Sequence, residues 1–457
     1  MFNIRQNNFF NIIKWLFFSA VIGVVVGTGD AGFLKALDYT LHWRDQFPLY
    51  YLGLPFFLYI TFVVARKFAR HDLDYTTDAV IEKINTYHPV GWKSALKSLL
   101  LSIFTMATGG SVGKEAPGAD AGAGVSSCLA ALFRMNKEDR RKLMICGVSA
   151  GFAGMFGVPL SGALFGLEVL WVGHIFYEVM LPAFIAGITA FQITTYWGVS
   201  YVYHPLNFVP VFSQKFFLKV IIAGLFFGLV SIALSEILRF VKVLFRYISV
   251  RFSPFWRSFL GGTILVLIGL FISTEYLSLG VEGFNHVLAG GDLTNPFGFL
   301  IKCFTTAITL AAGGVGGIIT PVFFIGAQAG ATLSSWLGTD SATLAALGLT
   351  AVLAGAANTP LAASIMAIEL FGAPIAPYAT IACVISFLMS GRHSIYASQR
   401  ISFDKQKAAS VIDNLSQADR MSAHKGLLLK TFKEMSKHLI PNPKGFDKEE
   451  KEDLSKN

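Results

Sequence analysis

Apolar residues fall in long uninterrupted runs rather than alternating with polar ones. Such runs lie at roughly 15–28, 49–65, 98–108, 121–133, 144–170, 177–196, 216–235, 258–274, 297–312, 322–336, 343–371 and 376–390. Continuous runs predict membrane helices, because in lipid only a helix or a closed barrel satisfies its own backbone. A barrel would show strands alternating polar and apolar. Some runs approach the ~20 residues that cross a bilayer, and others are shorter. The short ones border two Gly- and Pro-rich breaks, at 109–118 and 313–321. Irregular backbone at membrane depth is tolerated where it lines a cavity, and paired broken helices point to a transport site.

Composition agrees. Of 457 residues, 54% are hydrophobic and 14% charged, against roughly 25% charged in soluble proteins. Mean hydropathy is +0.57. A large water-exposed surface and extensive disorder are both excluded. The net charge of +9 does not imply a nucleic-acid partner, because the basic residues cluster in short loops. The clusters are Arg66, Lys67 and Arg70; Arg134, Lys137, Arg140, Arg141 and Lys142; and Arg239, Lys242, Arg246, Arg251 and Arg257. The positive-inside rule places them in the cytoplasm, together with the mixed-charge tail. The segments 198–210 and 275–296 carry no Lys or Arg and are expected outside. The expectation is a multi-pass protein of a bacterial plasma membrane with both termini cytoplasmic. The run beginning at Trp15 lacks an A-x-A-like cleavage site and reads as a retained first membrane helix. Cys128, Cys146, Cys303 and Cys383 lie in apolar segments without CxxC spacing. Neither a disulfide framework, a metal site nor a cofactor is expected.

An internal repeat is visible. ATGGSVGKEAPGADAGA (107–123) aligns with AAGGVGGIITPVFFIGA (311–327), and GVSAGFAGMFGVPLSGALFGLE (147–168) with GLTAVLAGAANTPLAASIMAIE (348–369). Two collinear matches predict two membrane halves, 1–200 and 201–400, followed by a polar tail at 401–457. The first broken helix is followed by the basic loop 134–142. The matching loop 337–341 has no Lys or Arg, and none occurs between Lys302 and Arg392. The halves are therefore expected to be inverted, which places a substrate site between them near the midplane.

Each break carries glycines, then Pro117 or Pro321 in the first turn of a helix, where a missing N–H is tolerated. The free amides and the dipole of each helix start attract an anion. Partial charges hold an anion weakly enough to let it leave. Glu115 lies inside the first break, where a carboxylate is costly unless functional or paired. It would occupy the anion site and leave when protonated, which makes it a gate and proton carrier. The alternative is a structural glutamate capping a helix. Lys114 either raises anion occupancy through its field or snorkels into a vestibule.

These residues resemble the CLC family of chloride channels and proton-coupled chloride transporters. Gly113-Lys114-Glu115-Ala116-Pro117 is similar to its G-[KR]-E-G-P motif, with the gating glutamate at Glu115. Gly316-Gly317-Ile318-Ile319-Thr320-Pro321 is similar to its G-x-F-x-P motif, which implies anion contacts from the amides of Ile318 and Ile319, with Gly113, Lys114 and Gly317 of the two motifs also expected at the anion. Gly391-Arg392-His393-Ser394-Ile395-Tyr396 resembles the late segment whose tyrosine hydroxyl touches the anion, implying Tyr396. The resemblance spans roughly 15–400. It implies an all-α fold of two inverted halves, a homodimer with one pore per subunit, and chloride or a similar small anion as substrate.

There are two departures. The family's G-S-G-I-P serine falls on Tyr75, beside Thr76 and Thr77, and the internal glutamate of proton-coupled members falls on Val169. The expectation is passive or weakly proton-coupled chloride transport, with a proton-coupled fluoride exporter as the alternative, since fluoride-exporting relatives lack both features. The tail is too short for the nucleotide-binding modules of other members. It is expected to hold one helix near 426–438.

Blander readings stand beside these. Glu168 and Glu369 end matching repeat helices and read best as caps. Tyr396 also reads as an interface anchor. Gly147-Val148-Ser149-Ala150-Gly151 matches the G-x-S-x-G of hydrolases, but it lies in a long apolar run rather than at a strand-to-helix turn. Catalysis is not expected. A cation or organic-solute carrier would require acidic or carbonyl-lined sites.

Overall fold

The computed structural model describes residues 2–68, 77–206 and 213–402. Tyr75, Thr76 and the expected tail helix lie outside them. The described residues are predominantly helical. In chain order the helices are α1 (Phe2–Asp45), α2 (Leu54–Phe68), α3 (Thr77–Asn85), α4 (Trp92–Ala107), α5 (Glu115–Leu132), α6 (Lys137–Phe156), α7 (Pro159–Glu168) and α8 (Tyr177–Tyr196). The second half continues with α9 (Gln214–Arg251), α10 (Pro254–Phe271), α11 (Val281–Leu288), α12 (Gly298–Ala312), α13 (Ile319–Leu337), α14 (Ser341–Ala357), α15 (Pro360–Phe371) and α16 (Ala376–Met389). Two short strands, β1 (Trp171–Val172) and β2 (Arg400–Ile401), pair in parallel.

Among the described residues, α8, α10 and the apolar lengths of α1 and α9 are long and apolar enough to cross a bilayer unaided. Shorter apolar helices pack beside their neighbours, as Gly162 and Gly166 of α7 do against Ala153 and Ser149 of α6. Two runs that read as continuous, 144–170 and 343–371, are each split. Gly157 (φ +71°) ends α6 and Asn358 (φ +60°) ends α14, both left-handed. Glycine, and asparagine after it, tolerates that conformation at a helix C-terminus. Pro159 and Pro360 then open α7 and α15 at the position where proline loses nothing.

The repeated glycines set helix separation. Gly122 on α5 faces Gly147 on α6, and Gly326 on α13 faces Gly348 on α14. A Cβ on any of the four would meet the opposite backbone, so these pairs touch main chain to main chain. Buried residues run from Ile319 to Ser334 on α13 and from Thr343 to Ala357 on α14. A helix apolar all round belongs in the centre.

Basic side chains tie neighbouring elements together. Lys14 pairs with Asp139 at 2.6 Å, Arg141 donates to the Ile84 carbonyl at 3.2 Å, and the Arg257 guanidinium lies 4.8 Å from the Phe62 ring centre. The two loops without Lys or Arg meet through His204 Nε2 and Asn285 Oδ1 at 3.0 Å. Lys302, wholly buried on α12, donates to the carbonyls of Tyr276 (3.2 Å) and Ser278 (3.0 Å). Ser278 in turn donates through its amide to the Gly109 carbonyl at 3.0 Å. A buried ammonium with several carbonyl partners thus braces the first break.

Candidate anion site at the paired helix breaks

Both breaks are built from the same local elements. Thr105 on α4 accepts from the Val315 amide at 3.1 Å, and Thr309 on α12 accepts from the Ser111 amide at 3.0 Å. The Gly113 amide donates to the Gly317 carbonyl at 2.7 Å, and the Gly317 amide to the Gly113 carbonyl at 2.8 Å. Each of these four bonds has a counterpart in the other copy, as an inverted repeat requires. The starts of α5 and α13 are therefore locked side by side.

This exchange determines which amides remain. Gly113 and Gly317, both expected to contact an anion, give their N–H groups to each other and position the site. Further along α13 the donors point to Glu115. Its carboxylate accepts from the Ile319 amide at 2.5 Å, the Thr320 amide at 3.2 Å and the Thr320 hydroxyl at 2.8 Å. Glu115 is 2% exposed. Charge-assisted bonds to amides at a helix start are strong, and the α13 dipole adds to them. A carboxylate of the first repeat thus occupies the helix start of the second.

Among the other expected residues, Ile318 caps α13 immediately before these donors. Lys114 extends away, its Nζ 5.9 Å from the Phe156 ring centre. Tyr396 is buried, and its segment is tied down by the Ile395 amide donating to the Ala356 carbonyl at 2.9 Å. Its hydroxyl lies within electrostatic reach of Glu115, Asp120 and Asp78. Tyr75 is outside the described residues. Thr105, Thr309, Thr320 and Asp120 escaped the sequence reading. Thr320 was legible as a hydroxyl in the first turn of a predicted anion-binding helix. Asp120 was legible as a lone acid in an apolar run.

The seats at α7 and α15 are filled in the same manner. Glu168, ending α7, accepts from the Leu361 and Ala362 amides of α15 at 3.1 and 2.9 Å. Glu369 accepts from the Leu160 and Ser161 amides of α7 at 2.8 and 2.9 Å. These two glutamates are mutual caps, as their sequence positions suggested. Ser149 lies buried inside α6, and its hydroxyl donates to the Ala163 carbonyl at 3.2 Å. That is a helix-packing bond, not a nucleophile elbow. Among the described residues, no group of three or more His, Cys, Asp or Glu is placed to hold a metal ion.

The family described as voltage gated chloride channel matches residues 56–391. A chloride/fluoride channel protein of Pseudomonas syringae pv. tomato is 34% identical over 410 residues, which cover 86% of this chain and 88% of that protein. The voltage-gated ClC-type chloride channel ClcB of Escherichia coli is 28% identical over 347 residues, covering 72% and 81%. Among solved structures, a CLC-type fluoride/proton antiporter superposes with a TM-score of 0.80 at 27% identity, covering 86% of this chain and 99% of that one. A slow cyanobacterial Cl−/H+ antiporter reaches 0.72 at 20% identity, covering 82% and 94%, a likeness of fold. With a bridged pair of half-helices at its centre and a family match over most of its length, this chain belongs to the voltage-gated chloride channel (CLC) family.

Proposed function

We propose that this protein carries a small halide across the membrane by letting it exchange with the Glu115 carboxylate at the start of α13. One observation carries the reading: the Ile319 amide and the Thr320 amide and hydroxyl already hold an anionic group there. Donors that hold a carboxylate suit a halide equally. Protonation removes the charge of Glu115, weakens its hold on those donors and frees the seat. The anion path then continues past Ile318 and Tyr396, with Lys114 at its rim. The halves 1–200 and 201–400 are the two units that meet at the site. The basic face is cytoplasmic in a bacterial plasma membrane, and the protein is a homodimer with one path per subunit.

Chloride is the first substrate to test. Fluoride/proton antiport is the second reading. It is supported by the name of the Pseudomonas syringae relative, by the likeness to the fluoride/proton antiporter, and by Val169 at the place of an internal acid.

Purified protein in liposomes is the direct test, with chloride, fluoride and nitrate efflux recorded alongside proton uptake. Halide efflux that becomes independent of pH in Glu115→Gln, with proton movement abolished, is the expected result. Unchanged halide and proton fluxes in Glu115→Gln, with unchanged pH dependence, would refute the gate.

A further inference from the structure

Asp120 lies five residues beyond Glu115 on α5, about 7.5 Å further along the helix axis, toward the end that carries the basic loop. It is 4% exposed, and its Oδ1 has no hydrogen-bond partner among the described residues. Thr77, the first residue of α3, stands beside it, its buried hydroxyl the hydrogen-bonding neighbour of the Asp120 carboxyl. Asp120 lies within electrostatic reach of Glu115. The other titratable groups around the cluster are Tyr396, from the segment after α16, and Asp78 on α3. Beyond Thr77, α3 leads to Ile84, where Arg141 of the basic face docks.

The neighbouring carboxyls are supplied with backbone donors. Glu115 has three donors, and Asp78 accepts from the Ser398 amide at 2.7 Å. Asp120 has no such hold on Oδ1. A bare carboxylate in this interior is costly, whereas the neutral acid is not. Such a group keeps a proton until a neighbour takes it. No acid stands at Val169, which is wholly buried.

We infer that Asp120 carries protons between the basic face and Glu115. The neutral acid releases its proton, and a bridging water relays it to the Glu115 carboxylate. One O–H bond breaks at Asp120 as another forms at Glu115. Glu115 then leaves α13 as a neutral acid, and the Asp120 carboxylate takes a proton from water on the basic side, past Thr77. Nothing is oxidised or reduced, and the reverse sequence returns the proton.

The inference rests on Glu115 being the gate, and the test separates the two. Full-length wild type, Asp120→Asn and Asp120→Glu are placed in liposomes, and halide efflux and proton uptake are read from the same vesicles. Asp120→Asn should lower proton uptake about a hundredfold, the scale set by losing one positioned acid, and lower the proton-to-halide ratio, since Glu115 can still take protons from the opposite face. Asp120→Glu should restore most of that uptake, which a packing role would not predict. Infrared difference spectra of the wild type on anion exchange should contain a protonated-carboxyl band besides that of Glu115, shifted in Asp120→Glu. This measurement stands even where Asp120→Asn does not fold. A single carboxyl band that vanishes in Glu115→Gln overturns the role. So does halide efflux without proton uptake in the wild type, or an unchanged proton-to-halide ratio in Asp120→Asn. Absence of any halide flux in the wild type defeats the transport reading itself, and the role of Asp120 falls with it.

Discussion

Three donors converge on the Glu115 carboxylate, and each is a separate handle on the gate proposed there. Thr320→Val removes the 2.8 Å hydroxyl bond and leaves both amides. A bond to a charged acceptor contributes about 1.5 kcal/mol net, so the closed gate should weaken and halide flux at neutral pH should rise about tenfold. Stopped-flow efflux from liposomes measures this, and no increase would show that the hydroxyl does not hold the gate. The pH dependence has a definite sign. Only the charged form of Glu115 competes with the anion, so flux should rise as pH falls and flatten in Glu115→Gln. Of these residues, Glu115 was legible in sequence because a carboxylate in a Gly-rich break has few structural excuses. The commitment of the Gly113 and Gly317 amides to each other was not legible, because each amide's partner lies in the other half of the chain.

At the scale of elements, the helix pair α7 and α15 shows how short membrane helices stay in place. Each ends in a glutamate that accepts from two amides at the other's start. Glu369→Ala should lower stability by about 2 kcal/mol, the loss of a charged cap with two bonds, and leave the proton-to-halide ratio alone. Thermal unfolding in detergent and liposome flux together check this, and a changed ratio would move Glu369 into the transport path. The glycine seams give a second expectation. Gly326→Leu drives a side chain into the Gly348 backbone and should destabilise by about 3 kcal/mol, read as loss of a monodisperse peak on size exclusion. The splits at Gly157 and Asn358 were missed because apolar residues continue across a two-residue break. Their signal was Pro159 and Pro360, each two residues after the left-handed position.

At the scale of the whole molecule, polar contacts join segments distant in sequence. Lys14–Asp139 ties α1 to the start of α6, Arg257–Phe62 ties α10 to α2, and His204–Asn285 joins the loops without Lys or Arg. Ser149→Ala should leave halide transport unchanged in reconstituted vesicles, since its hydroxyl only bonds the Ala163 carbonyl. Loss of transport would assign Ser149 a part the helix packing does not show.

The sequence by itself determined that this chain is helical, lipid-embedded and twofold repeated, with a carboxylate in its first break. Those properties follow from local hydropathy, loop charge and residue spacing, which act over a few turns of chain. Tertiary structure decided which amides were free, that Glu115 reaches across to α13, and that Asp120 is left without a partner at Oδ1. A hydrogen-bond donor is free or engaged only with respect to groups brought beside it from half a chain away, and that adjacency is created by folding.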